Sequence, residues 1–200
     1  MRGITAIVAI AFLAGAFGGY LFAERGGNVV AQELESRTHE NLDNAFGGES
    51  RAHMNYILYS TTAIIDGFPN VSRLLQAVSY AESVHARNHA NILGMIGNTS
   101  ENLQNAMDGE NYENEIMYPE YYEIAVQEGN KEAQRSFHYA LETEGLHATL
   151  FEEAKKRVDS GSDMGLDTIY VCPVCGYTHV SAPPELCPIC RTPSNHFTPF

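Results

Sequence analysis

The chain has 200 residues, enough for one substantial core and a small additional module. Its 12 Lys and Arg against 25 Asp and Glu give a formal charge of -13. Such a surface repels nucleic acid and argues against it as a partner. All four cysteines fall between Cys172 and Cys190, so their chemistry is confined to the C-terminal end.

Residues Ile4 to Ala23 carry no charge and follow Met1-Arg2. A run of about 20 apolar residues is long enough to cross a bilayer as a helix and is long for a signal-peptide core. Residues 1–23 are therefore expected to be a signal-anchor or a signal peptide, and 24–38 a polar, Gly-containing tether. An anchor gives a membrane-attached protein with an extracytoplasmic, periplasmic domain; cleavage gives a protein secreted to the periplasm. No lipobox cysteine stands at the end of the apolar run, which argues against a lipoprotein.

Four long amphipathic segments come next, joined by short connections, the pattern of an antiparallel four-helix bundle over 39–158. The first is expected to run from His39 to Ile65 and to stop at Asp66-Gly67-Phe68-Pro69. The second is expected over Val71–Ile96, with Asn70 as cap and Gly97-Asn98 as exit. The third is expected over Glu101–Glu128, capped by Ser100 and kinked at Pro119. The fourth is expected over Lys131–Val158. Residues 159–168 read as a Gly/Ser/Asp linker, and 169–200 as a module too small for a core of its own.

The apolar seam of the second segment steps through Val71, Leu74, Leu75, Val78, Glu82, His85, His89 and Ile92; that of the fourth through Phe137, Ala140, Glu144, His147 and Phe151. Charge on an apolar seam is costly unless it is neutralised. Glu82-x-x-His85 and Glu144-x-x-His147 each place a carboxylate and an imidazole on one helix face. Glu49 occupies the seam of the first segment, and Glu110 and Glu113 that of the third. Separations of 33 residues from Glu49 to Glu82 and 34 from Glu110 to Glu144 describe two hairpins with ligands at matching heights. One Glu from each of two helices and a Glu-x-x-His from each of the others is the donor set of ferritin-like di-iron bundles. Such oxygen-rich sites suit iron or manganese. His89 reads as a hydrogen-bonded core histidine rather than a partner of the ligands, and His53, four residues after Glu49, is not counted as a ligand. Tyr56 and Tyr118 sit where their hydroxyls could reach the carboxylates or simply fill the core.

Cys172-Pro-Val-Cys175 and Cys187-Pro-Ile-Cys190 form two knuckles separated by eleven residues, a spacing for a four-thiolate site of iron or zinc. Zinc there would be structural; iron would carry one electron.

The local motifs Phe46-Gly-Gly-Glu49-Ser, Glu82-x-x-His85, Gly109-Glu110-x-x-Glu113, Met117-Tyr118-Pro119, Glu144-x-x-His147 and Ala182-Pro-Pro-Glu185-Leu-Cys187-Pro together resemble rubrerythrin over about residues 36–200. The resemblance implies a mainly α fold, a ferritin-like four-helix bundle followed by a small rubredoxin-like domain. It implies a non-haem di-iron peroxidase that reduces hydrogen peroxide to water with electrons relayed through iron on Cys172, Cys175, Cys187 and Cys190. Glu49, Glu82, Glu110, Glu113, Glu144 and His147 match the family's di-iron ligands, with Glu82 and Glu144 as the bridging pair. His85 matches a histidine that replaces the carboxylate at the Glu113 position on reduction, and Tyr56 and Tyr118 match tyrosines near the metals. Glu49, Glu82, His85, Glu113, Tyr56 and Tyr118 are thus the expected catalytic residues. Three iron ions are implied, with zinc or manganese as possible substitutes. A head-to-tail homodimer is implied as well, with one subunit's four-cysteine site beside the other's di-iron site. The apolar N-terminal segment departs from the family's usual cytoplasmic members and leaves the electron donor unidentified. Ferroxidase activity, or a non-catalytic protein with a zinc knuckle, are the alternative readings.

Overall fold

The computed structural model describes residues 36–165 and 167–200. The expected membrane or signal segment lies outside them; no described helix is long and apolar enough to cross a membrane. The described chain divides into two compact units, 36–96 and Gly97–Phe200.

The first unit is a helical hairpin of α1 (36–65) and α2 (Pro69–Ile92). Gly67, at φ +83°, closes α1, with the Phe68 N–H donating to the Ala63 carbonyl at 2.8 Å. Pro69 opens α2 at its first turn, where its missing N–H costs no helix bond. Asn70, the expected cap, instead accepts a bond from Arg73. The buried face of α2 is made of Ser72, Ser79, Ala86 and Ala90, so its close packing depends on small side chains. Ser79 Oγ donates to the His53 carbonyl at 2.9 Å, and His53 Nδ1 donates to the Ser79 carbonyl at 2.9 Å. His53 is thereby a fastening between the two helices. The apolar seam expected on α2 is not this buried face: Leu74 is 63% exposed and Ile92 69%. The helix ends four residues before expectation, because Gly94 adopts φ +68° and the Met95 N–H turns back to the Ala90 carbonyl.

The second unit holds α3 (Thr99–Tyr112), a π-helical turn (Glu113–Met117), α4 (Tyr118–Gln127), α5 (Lys131–Asp159) and a three-stranded antiparallel sheet. Asn98 caps α3 in place of Ser100: its side chain accepts from the Glu101 N–H while Glu101 accepts from the Asn98 N–H, a complete capping box. Ser100 donates instead to Asp159, joining the start of α3 to the end of α5. The expected kink at Pro119 is a widened turn before it, where the Tyr118 N–H reaches five residues back to the Glu113 carbonyl. Proline removes a donor and crowds the preceding turn, and a single π turn accommodates it. Gly129, at φ +71°, and the Asn130 cap reverse the chain into α5.

Strands β1 (Ile169–Val171), β2 (Thr178–Val180) and β3 (Thr198–Pro199) are ordered β2-β1-β3, with Tyr170 opposite His179. The module's core consists of Cys172, Cys175, Cys187 and Phe197. Tyr139 of α5 packs against that core, so the module is seated on the helix that carries Glu144 and His147.

Candidate metal centres

The i,i+3 spacing does on each helix what it should. On α2, His85 Nδ1 lies 2.9 Å from Glu82 Oε2 and 3.9 Å from Glu49 Oε1 of α1. On α5, His147 Nδ1 lies 2.7 Å from Glu144 Oε2 and 3.9 Å from Glu110 Oε2 of α3. The two units thus hold the same three-residue constellation, Glu49, Glu82 and His85 in one and Glu110, Glu144 and His147 in the other, each with donor atoms within 4.8 Å of one another. The environments differ: the His85 side chain is 54% exposed and that of His147 24%.

Glu113 and Tyr118 flank the second set at the two ends of the π turn. Burial first, then the neighbouring Glu144, push the Glu113 carboxyl above its ordinary range. Burial, then Glu113, Glu144 and Glu110, push the Tyr118 phenol up, so it keeps its proton. Glu110 is pushed up to about 7, by burial first and then by the charge and hydrogen bond of Glu144. Tyr56 is half-buried on α1 with its ring 6.2 Å from that of Tyr59. An apolar cavity of about 380 Å³, with Leu150, Phe151, Ile169 and Val180 in its walls, reaches Glu110, His147 and Thr178.

The donor chemistry fits metal. Glu110 and Glu113 crowd against Glu144, and both carboxyls are raised above their ordinary range, a repulsion that a bound cation would relieve. The 2.7 Å contact of His147 Nδ1 with a carboxylate oxygen likewise calls for a cation, proton or metal, between them. Iron suits these carboxylate and imidazole donors.

The four cysteines converge as their spacing predicts. Cys172 Sγ lies 3.5 Å from Cys190 Sγ, and Cys175 Sγ 3.4 Å from Cys187 Sγ, far beyond a disulfide bond. All four sulfurs lie within 4.8 Å of one another, as a tetrahedral thiolate site needs. Each knuckle is closed by two backbone hydrogen bonds: the Gly176 N–H donates to the Cys172 carbonyl and the Arg191 N–H to the Cys187 carbonyl, both at 3.0 Å, while the Cys172 N–H donates to the Tyr177 carbonyl at 2.9 Å and the Cys187 N–H to the Thr192 carbonyl at 2.8 Å. Burial raises Cys175 and Cys187. At Cys190 burial also raises the thiol, but the Thr192 hydroxyl and N–H and the neighbouring cysteines outweigh it and bring it to about 6.

Three participants are not visible as sequence motifs. Thr178 Oγ1 lies 3.0 Å from His147 Nε2. Asn114 donates to the Leu141 carbonyl. Gly145, beside Glu144, leaves room for Asn114: a Cβ there would lie 3.1 Å from its side chain. Each belongs to a contact between elements distant in the chain, which helical periodicity does not report.

A family model described as rubrerythrin matches residues 40–155, and one described as the rubredoxin-like domain of rubrerythrin matches 170–198. Rubrerythrin-2 of Clostridium acetobutylicum is 40% identical over 177 residues, covering 82% of this chain and 96% of that protein. Nigerythrin of Nitratidesulfovibrio vulgaris is 32% identical over 189 residues, covering 86% and 92%. The solved structure of nigerythrin in its fully reduced, all-ferrous state aligns at 31% identity with a TM-score of 0.49, over 82% of this chain and 86% of that one. The fold class is accordingly mainly α, ferritin-like helices followed by a rubredoxin-like four-cysteine module.

Proposed function

Because the chain belongs to the rubrerythrin family, we propose that it is a non-haem peroxidase that reduces hydrogen peroxide to water, with electrons relayed from the four-cysteine site to the carboxylate–histidine site. The observation that carries this reading is the seating of the cysteine module on α5, with Thr178 of the module against His147 of the donor set. Iron bound at both sites would supply reversible one-electron chemistry. Each peroxide takes up two electrons and two protons and yields two waters.

The chain's own groups are suited to the rest. Glu82 and Glu144, with side chains 16% and 15% exposed, are the most enclosed of the paired carboxylates and would hold bound iron within their respective constellations. Glu49, Glu110, Glu113 and His147 would complete the set, and His85, whose ring is the more exposed of the two, would be the exchangeable ligand. The Tyr118 Oη holds its proton in front of three carboxylates and is placed to donate it as charge develops. Tyr56 is assigned the corresponding position on the first hairpin. The cavity walls beside Glu110 and His147 are apolar and offer water few hydrogen-bonding partners there.

We assign the protein to the extracytoplasmic side of a membrane on the apolar run 4–23 alone, with an electron donor on that side, and a homodimer on the family resemblance. Recovery of the mature chain in the cytosolic soluble fraction would sink that placement.

The test is anaerobic reduction of the iron-loaded protein followed by stoichiometric peroxide, monitored optically with metal analysis. The thiolate–iron absorbance is expected to bleach on reduction and return with peroxide. Reduced centres that peroxide leaves reduced would overturn the assignment. Zinc at the cysteines, with uptake and oxidation of added ferrous ion, would favour ferroxidase activity.

A further inference from the structure

The two Glu-x-x-His pairs are alike on the side that faces the carboxylates and unlike on the other. Among the described residues, the polar neighbours of the His85 ring are Glu82 and Glu49, both at Nδ1. His147 has the equivalent neighbours at Nδ1 and a further one at Nε2, the Thr178 hydroxyl at 3.0 Å. Thr178 begins β2 and stands three residues past Cys175, so the contact ties the metal-binding helix to the first cysteine knuckle.

The polarity of this contact follows from the groups beyond it. A threonine hydroxyl has one proton to donate and lone pairs to accept with. Thr178 Oγ1 lies 3.0 Å from the Gly176 carbonyl, which can only accept, so the hydroxyl proton is committed there. The hydroxyl is then left to accept, and His147 must carry its proton on Nε2. The chain of bonds runs from His147 Nε2–H to Thr178 Oγ1–H to the Gly176 carbonyl, one residue from Cys175. With Nε2 protonated, the lone pair of a neutral imidazole is on Nδ1, the atom that faces Glu144 and Glu110.

We infer that Thr178 is a positioning residue: it fixes the tautomer and ring orientation of His147 so that Nδ1 is offered to the metal, and it does so from the cysteine module. This rests on the reading of the carboxylate–histidine set as a metal site. A ligating histidine needs its second nitrogen held, and removing such a partner typically weakens metal binding 10- to 100-fold. His85 lacks this fastening among the described residues, so of the two rings His147 is the fixed ligand and His85 the one free to turn.

The test compares the full chain with Thr178→Val, which removes the hydroxyl at similar shape, and Thr178→Ser, which restores it. Two quantities are read. One is ferrous-ion affinity of the helical site by competition with a chelator, expected about 10- to 100-fold weaker in Thr178→Val and restored in Thr178→Ser. The other is the imidazole nitrogen NMR spectrum of the full chain loaded with zinc as a diamagnetic stand-in. A slowly exchanging Nε2–H signal, assigned to His147 by its absence from His147→Gln, is expected in wild type and Thr178→Ser and lost in Thr178→Val.

An unchanged affinity or an unchanged signal in Thr178→Val overturns the proposal, as does a Thr178→Ser variant that behaves like Thr178→Val. Should Thr178→Val fail to fold, the wild type still decides: a His147 proton on Nδ1, or an Nε2–H in fast exchange, is equally fatal. Neither readout uses peroxide, so failure of the peroxidase assignment and failure of this one are separable.

Discussion

The Asn114 side-chain amide donates to the Leu141 carbonyl across 2.6 Å, which pins the π turn to the backbone of α5 beside Glu144. Removing the bond with Asn114→Ala should cost on the order of 1 kcal/mol, the usual net worth of such a bond. Gly145→Ala alone gains helix propensity but presses its Cβ, 3.1 Å away, against the Asn114 side chain. In the Asn114→Ala background that pressure is gone, so Gly145→Ala should stabilise by up to about 1 kcal/mol there and by clearly less in the wild type. Denaturant melts of the four variants measure the coupling; strictly additive effects would refute it.

Glu110 gives the metal-free protein a definite pH dependence. Its carboxyl is raised to about 7 in the folded chain, from an ordinary value of 4.5, chiefly by burial and by Glu144. The unfolded state therefore ionises first. The contribution is fully present below about pH 4.5 and is lost as pH rises through about 7. Glu110→Gln should flatten the decline between those limits relative to wild type, as read from melting temperatures of the metal-free chains. Because the same proton must leave before a cation enters, metal uptake at this site should release more protons at pH 6 than at pH 8. Equal proton release at both, by titration in weakly buffered solution, would falsify the linkage.

In the cysteine module the metal ligands are also the core. Cys187 is fully buried, and Cys172 and Cys175 pack beside it with Phe197. Cys187→Ser should therefore abolish metal binding at that site and unfold the module, while the long helices persist. Far-ultraviolet circular dichroism should stay strongly helical as proteolytic cuts appear beyond Asp159. A module that stays resistant without its metal would contradict this account.

The two knuckles close on residues with left-handed backbones, Gly176 at φ +81° and Arg191 at φ +67°. Only the first is a glycine. Arg191→Gly should relieve about 1 kcal/mol of backbone strain, and Gly176→Ala should introduce about as much. The alanine meets nothing closer than the Thr143 hydroxyl at 3.9 Å, so its effect is conformational rather than steric. Chelator-driven metal release should slow in the first variant and quicken in the second; the same direction in both would defeat the argument.

Much of this site can be read from the chain because its ligands repeat with the period of the helix. Glu82 with His85 and Glu144 with His147 are set by three-residue spacing, and the cysteines by two-residue gaps, so local geometry alone brings each pair together. Where the reading of the sequence departs from the fold, the determinant is tertiary. Ser100 is a good cap by type, yet its hydroxyl is drawn across to Asp159 of α5, and Asn98 forms the box with Glu101 instead. The seam through Leu74 and Val78 is apolar by pattern, whereas Ser72 and Ser79 form the buried face, where small side chains pack and His53 and Ser79 exchange hydrogen bonds. Thr178 and His147 stand 31 residues apart on different kinds of structure, and no periodicity links them.

The cysteine module is held in place by its contacts with α5. Tyr139 against the thiolate core and Thr178 against His147 locate the module by surface contact. The segment between Asp159 and Ile169 then acts as a leash and not as a ruler. Extra residues inserted near Gly165 should leave the spacing of the two metal centres intact. If the proposed relay operates, electron passage between them should proceed without a diffusive search, at a rate indifferent to solvent viscosity.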